Sequence, residues 1–311
     1  MMSELLGYYL ADNELTRKSL KKCQDIIKGV IPVWIEIKAE GSVLIKREVK
    51  QENELLKDYF SPDEISPLLQ NYNLKNEESN KLLENRTVWG RMADKIIKFL
   101  QKNKLTSLNI NIEGINSSKE KKLNQFIQFF SKKVKKHKIK LEVSIPAKIE
   151  DNNSNWGGAY NYKYLGKVAD KLMIMAYDYH WSGGPPGAIA PFFWVRDVID
   201  YSLMSCPPGK IYLGLPCYGY DWVVNCPGKK GRGLSYYQVM KIREKYSCQM
   251  DWDYESRSPF IKYSKNGQQH EVWFENGKSL KEKIKLVQTF ELGGAVFWRL
   301  GLEDLSVWDK I

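Results

Sequence analysis

Histidine is scarce in this 311-residue chain: the three copies are His137, His180 and His270. They lie far apart, which argues against a histidine-built metal site. Cysteines occur at 23, 206, 217, 226 and 248, an odd count with irregular spacing and no C-x-x-C. Neither a zinc site nor a disulfide framework is expected, and no cofactor is called for. Cys217 and Cys226 could pair, but reduced thiols are the preferred reading. No run of about 18 apolar residues occurs, so no transmembrane helix and no membrane partner are expected. The first residues, "MMSELLGYYLADNELTRK", lack the basic-then-apolar layout of a secretory leader. The expectation is a chain made without a leader, or else a mature or excised piece. There is no internal repeat and no long linker, so a single domain over residues 1–311 is expected.

What is present is ample core material. Hydrophobic residues make up 43% and charged residues 27%, a globular balance and not a disordered one. The net charge of +11 is concentrated in stretches such as "SKKVKKHKIK" (131–140), which reads as a solvated helix face. Attraction to a polyanion, either nucleic acid or an anionic cell wall, is the sharper alternative. No nucleic-acid-binding motif accompanies the charge, so no nucleic-acid partner is expected.

Apolar strand-like runs recur at 5–10, 30–37, 65–73, 107–113, 140–148, 171–179, 210–222 and 293–301. Helical stretches such as "VWGRMADKIIKFLQKN" and "KKLNQFIQFFSKKVKKH" separate most of them. Parallel strands buried on both faces read as such runs, so the pattern predicts an α/β fold, a (β/α)8 TIM barrel. An open doubly wound sheet is the runner-up, but no G-x-G-x-x-G follows the first run. Residues 248–275 break the rhythm and read as a small β-rich insertion between strands 7 and 8, with a hairpin at Asn266-Gly267.

In such a barrel, functional groups sit at the C-terminal ends of the strands. Those ends offer Tyr8, then Asn109, Asn111 and Glu113, then Met175, Tyr177 and Asp178, then Tyr218 and Tyr220, and last Trp298. In "SLNINIE" the apolar Leu108, Ile110 and Ile112 alternate with the polar Asn109, Asn111 and Glu113. An acid among amides, phenols and an indole suits a sugar: rings stack on pyranose C–H faces, and polar tips bond hydroxyls and acetamides. Further aromatics, Trp156, Trp181, Trp194 and Trp222, are assigned to loops.

These blocks, in this order, resemble glycoside hydrolase family 18, most closely its bacterial branch of spore-cortex-lytic N-acetylglucosaminidases. "GYY" (7–9) is similar to the first-strand signature. "TSLNINIE" aligns with the fourth-strand motif, whose usual form in the branch is D-G-(V/I)-N-(I/L)-D-x-E. "WGGAYNYKYLGKVADKLMIMAYDYHW", "GPPGAIAPFFWV", "KIYLGLPCYGYDW" and "GGAVFWRLGLEDLSVWDKI" match later blocks.

The resemblance implies retaining, substrate-assisted hydrolysis of β-linked N-acetylglucosamine polymers such as peptidoglycan, spore cortex or a chitin-like chain. It implies Glu113 as general acid and base, with Tyr177 bonding the acetamide carbonyl, Asp178 and Met175 lining the pocket, and Trp298 flooring it. It also implies a monomer associated with the spore or cell wall, or otherwise cytoplasmic. The branch often carries N-terminal cell-wall-binding repeats; since this sequence opens on the first-strand run, the expectation is either docking through its basic surface or a piece of a longer protein. Three positions depart from the motif: Thr106 and Ser107 replace its opening Asp-Gly, and Asn111 stands where the acetamide-steering aspartate is expected. An amide can accept the acetamide N–H but supplies no negative charge, so reduced turnover is expected. A related barrel family of endo-N-acetylglucosaminidases uses an Asn–Glu pair, which makes asparagine chemically workable. The alternative is a catalytically weakened or inactive sugar-binding or structural spore protein on the same scaffold.

Overall fold

A computed structural model of the protein describes residues 3–10, 13–151, 154, 156–226 and 228–309. The strands in chain order are β1 (Glu4–Tyr9), β2 (Gly29–Ile37), β3 (Val43–Ile45), β4 (Leu68–Asn71), β5 (Ser107–Asn111), β6 (Lys140–Pro146) and β7 (Lys171–Met175). They continue with β8 (Ile211–Pro216), β9 (Tyr218–Val223), β10 (Arg232–Ser235), β11 (Met250–Asp253), β12 (Ser258–Lys265), β13 (Gln268–Phe274) and β14 (Gly294–Trp298). Eight of them form a parallel ring in the order β1-β14-β8-β7-β6-β5-β4-β2, and β2 closes back onto β1 with Leu6 opposite Gly29. This is the closed (β/α)8 barrel expected from the spacing of apolar runs. The short β3 pairs antiparallel with the end of β2 and was not visible as a separate run.

The alternation in each barrel strand sorts residues between two layers. On β5, Leu108 and Ile110 face outward into the large core shared with the helices. Each such side chain contributes about 1.5–3 kcal/mol on full burial. Inside the ring, Leu6, Tyr8, Ile31, Val33, Leu68, Met173, Tyr212 and Val296 pack together. The helices follow the matching 3.6-residue rule. Trp89–Lys102 buries Trp89, Met92, Ala93, Ile96, Ile97 and Leu100, one continuous stripe. Glu120–Lys135 buries Leu123, Phe126, Ile127, Phe130 and Val134 and leaves Lys132 and Lys135 exposed, so the lysine-rich run is a solvated face.

The second sheet is larger than the sequence suggested. Its order is β10-β9-β13-β12-β11, all antiparallel, so it starts at Tyr218 and takes in more chain than residues 248–275. The apolar run 210–222 is therefore two strands. Proline has no N–H for the ladder, and the barrel pairing ends at Pro216, opposite Trp298. The chain then turns at Cys217 into β9. The hairpin stands where expected: Lys265 pairs with Gln268, and Asn266 (φ 52°) and Gly267 (φ 74°) make the left-handed two-residue turn. Helix Tyr236–Tyr246 packs on this sheet through Val239.

Two loop assignments are corrected. Trp194 belongs to helix Phe192–Leu203, and Trp222 is a buried residue of β9. Trp156 and Trp181 are exposed at 56% and 52%, in turns. All five cysteines are free thiols, Cys217 and Cys226 included. Among the described residues no helix is long and apolar enough to cross a membrane, and no three metal-ligating side chains gather.

Candidate active site

Strand β5 ends at Asn111, and Glu113 lies two residues on, where the chain leaves the sheet at the C-terminal rim of the barrel. Three contacts hold the Glu113 backbone. Its N–H donates to Asn71 Oδ1 (2.9 Å), its carbonyl accepts from Ser79 Oγ (2.7 Å), and the neighbouring Ile112 carbonyl accepts from the Tyr160 hydroxyl. Gly114 then turns the chain at φ +68°, and a Cβ there would collide with the Asn76 side chain.

The Asn111 side-chain amide donates a 2.6 Å hydrogen bond to Glu113 Oε1, and its Oδ1 is buried without a partner. Burial raises the Glu113 pKa above the ordinary glutamate value. The Asn111 hydrogen bond pulls it back, and the nearby Asp178 charge pushes it up further. Glu113 is thus a carboxyl group biased toward holding its proton.

Strand β7 ends at Met175, and Tyr177 and Asp178 follow it. Asp178 adopts φ +63°, a left-handed conformation that aspartate tolerates better than most residues. Its Oδ1 accepts from Tyr218 (2.6 Å) and Tyr220 (3.1 Å) on β9. Burial raises the Asp178 pKa, and the two phenol hydrogen bonds oppose that shift. The Tyr177 hydroxyl makes no hydrogen bond among the described residues. Burial first, then the charges of Glu113 and Asp178, hold its pKa far above the usual phenol value, so it remains a proton donor.

Tyr177, Asp178, Tyr218, Tyr220 and Trp298 share one cleft of about 720 Å³. The structure thus gathers five of the sequence-selected residues from three separate runs. The other five are not among the walls of this cleft. Glu113 and Asn111 are bonded to each other, and Glu113 is coupled to the cleft through the field of Asp178. Tyr8 lies deeper, with its ring 5.0 Å from Trp298 and edge-on to it. Its hydroxyl donates to Ser144 Oγ (2.7 Å), which donates to Asn109 Oδ1 (2.8 Å). Asn109 is wholly buried, so it belongs to the polar filling of the barrel beneath the rim. Met175 ends its strand between Pro146 and Gly214.

Several neighbours escaped the sequence reading. Asn71 closes the short strand β4 at its C-terminal end, but its run was too polar to stand out. Ser235, Tyr237 and Gln238 line the cleft without any barrel strand-end signal, because they lie in the second sheet and the helix that follows it, whereas Arg299 directly follows Trp298 at the end of β14.

The chain is 30% identical over 242 residues to the uncharacterized glycosylase YvbX of Bacillus subtilis, covering 77% of this chain and 70% of the relative. It is also 30% identical over 246 residues to the cortical fragment-lytic enzyme of Bacillus subtilis, covering 77% of this chain and 57% of the relative. It therefore spans little more than half of that enzyme's length. The spore cortex-lytic enzyme SleL of Bacillus megaterium superposes with a TM-score of 0.88 at 24% identity, covering 99% of this chain and 73% of that one. A chitinase of Chromobacterium violaceum gives 0.88 at 26% identity, covering 99% and 97%. The family model for glycosyl hydrolases family 18 matches residues 75–303, and the chain belongs to that family.

Proposed function

We propose that this chain hydrolyses β-linked N-acetylglucosamine polymers with retention of configuration, using Glu113 as general acid and base. The observation that carries the reading is the 2.6 Å bond from Asn111 to a Glu113 carboxyl whose pKa is raised, at the barrel rim beside the aromatic cleft.

In this mechanism the acetamide carbonyl oxygen of the bound sugar attacks its own anomeric carbon. Glu113 gives its proton to the departing glycosidic oxygen as that bond breaks. Glu113 then takes a proton from water, which opens the oxazolinium ion on the same face and restores the acetamide. Tyr177 donates its unengaged hydroxyl to the acetamide oxygen. Asn111 accepts the acetamide N–H through Oδ1. Trp298, braced by Tyr8, offers an indole face to the sugar ring, and Asp178, Tyr218 and Tyr220 bond its hydroxyls. Asn109 and Met175 support this set from below and beside it. The relatives named for spore-cortex lysis favour a spore or cell-wall glycan as the polymer and the spore as the place of action.

A neutral Asn111 supplies no charge to balance the oxazolinium, so turnover is lower than a carboxylate at this position would give. The same feature, with Thr106 at the start of the motif, favours a second reading: a sugar-binding spore protein on the barrel scaffold. Reducing-end release from N-acetylglucosamine polymers separates the two. The enzyme reading predicts release by the native chain and none by Glu113→Gln. Micromolar glycan binding with undetectable release by the native chain would establish the second reading.

A further inference from the structure

We propose that Arg299 reads a carboxylate on the glycan, so that the cleft selects an amino-sugar polymer bearing acidic substituents over a neutral one. The inference rests on the reading of the cleft as a glycan site.

Arg299 follows Trp298 directly and lines the same cleft as Tyr177, Asp178 and Trp298. Its guanidinium forms no hydrogen bond or ion pair among the described residues. Two other arginines behave otherwise: Arg257 binds Glu282 at 2.9 Å, and Arg232 binds Asp221 at 3.3 Å. The acids near Arg299 are committed elsewhere. Glu303 accepts from Ser19, from the Gly301 N–H (2.7 Å) and from Trp308 (3.1 Å). Asp178 receives Tyr218 and Tyr220 on one oxygen.

Arg299 is also partly desolvated, and burial lowers its pKa from the usual value. A guanidinium nonetheless stays charged in a protein. A half-buried cation that feels the charge of Glu303 but forms no ion pair with it bears a desolvation cost that a ligand carboxylate would relieve. The planar fork matches a carboxylate in two parallel hydrogen bonds, which adds direction to the charge. The cleft walls carry one acid, Asp178, beside the neutral polar groups Asn13, Ser235 and Gln238, and Arg299 is the cation among these lining residues. The net charge of +11 favours the approach of an acidic polymer in the same sense.

The test uses two glycan strands: one with lactyl ether carboxylates on alternate amino sugars, and the same strand with those carboxylates reduced to alcohols. Binding is measured by calorimetry in the Glu113→Gln background, which prevents turnover. The carboxylated strand is expected to bind about ten- to a hundredfold more tightly than the reduced one. Adding Arg299→Gln should erase most of that ratio, and Arg299→Lys should restore part of it. Equal affinity for the two strands, or an equal loss on both in the Arg299 variants, overturns the proposal. Circular dichroism of each variant excludes unfolding as the cause of a loss. Reducing-end release by the native chain is scored separately, so discrimination without hydrolysis would overturn the catalytic reading and leave this one standing.

Discussion

The side-chain amide of Asn111 donates to Glu113 Oε1 at 2.6 Å, a neutral donor placed against the one carboxyl of the β5 motif. A hydrogen bond to a carboxylate favours its ionised form, whereas a second carboxylate there would favour the protonated one. The asparagine therefore works against burial and Asp178, which both raise the Glu113 pKa.

Asn111→Asp should reverse that contribution. Two carboxyls would share one proton, and the pair would lose it at higher pH than Glu113 does alone. The alkaline limb of the activity profile should move up by about one unit or more. The added charge should raise kcat by on the order of 10²–10³. A pH–rate profile of both proteins on a chitooligosaccharide checks it, and an unchanged limb would show that Asn111 does not set the Glu113 proton affinity.

Glu113 also carries a stability cost. Its folded pKa is raised above the unfolded value of about 4.3, so the folded chain holds the proton longer as pH rises. Stability therefore falls as pH climbs from that unfolded value through the raised folded value. Glu113→Gln does not titrate, so it should gain thermal stability over the native chain at pH 7–8, on the order of 2 °C. The gain should vanish near pH 4. Melting curves across that range measure it, and a gain that does not change with pH would contradict the assignment.

Tyr177→Phe removes a hydroxyl that has no hydrogen-bond partner among the described residues. Its proposed partner, the acetamide oxygen, gains charge in the transition state. The loss should fall on kcat, by on the order of 10², with KM little changed. A loss confined to KM would make Tyr177 a ground-state contact.

Lys283 and Glu275 form an ion pair with both side chains wholly buried, Nζ lying 2.8 and 2.9 Å from the two carboxylate oxygens. Lys283→Met leaves a buried carboxylate without its counter-ion. It should cost about 3–5 kcal/mol, read as a large drop in Tm. The double variant Lys283→Met with Glu275→Leu should recover most of it, and a single variant as stable as the native chain would show that the pair carries no such weight.

Much of the barrel was legible in the sequence because parallel strands must be apolar on both faces, and eight such runs stand apart. The β5 face was equally legible: Leu108 and Ile110 go to the outer core while Asn109 and Asn111 turn inward. What alternation could not reveal was depth. Asn109 and Asn111 have the same polarity and the same facing, yet Asn109 spends its oxygen on Ser144 inside the barrel and Asn111 reaches Glu113 at the rim. The break at Pro216 was hidden for a related reason, since β8 and β9 are both apolar although one belongs to the barrel and the other to the second sheet. Tyr237 reaches the cleft through tertiary packing alone, which no local period records.

The central claim is that Glu113 drives hydrolysis through the substrate's own acetamide, which fixes the stereochemical outcome. Proton NMR of the first-formed reducing ends, taken before mutarotation, tests it on a soluble N-acetylglucosamine oligomer. The account predicts β-anomers from the native chain and no product from Glu113→Gln. First-formed α-anomers, or product from Glu113→Gln at the native rate, would contradict it.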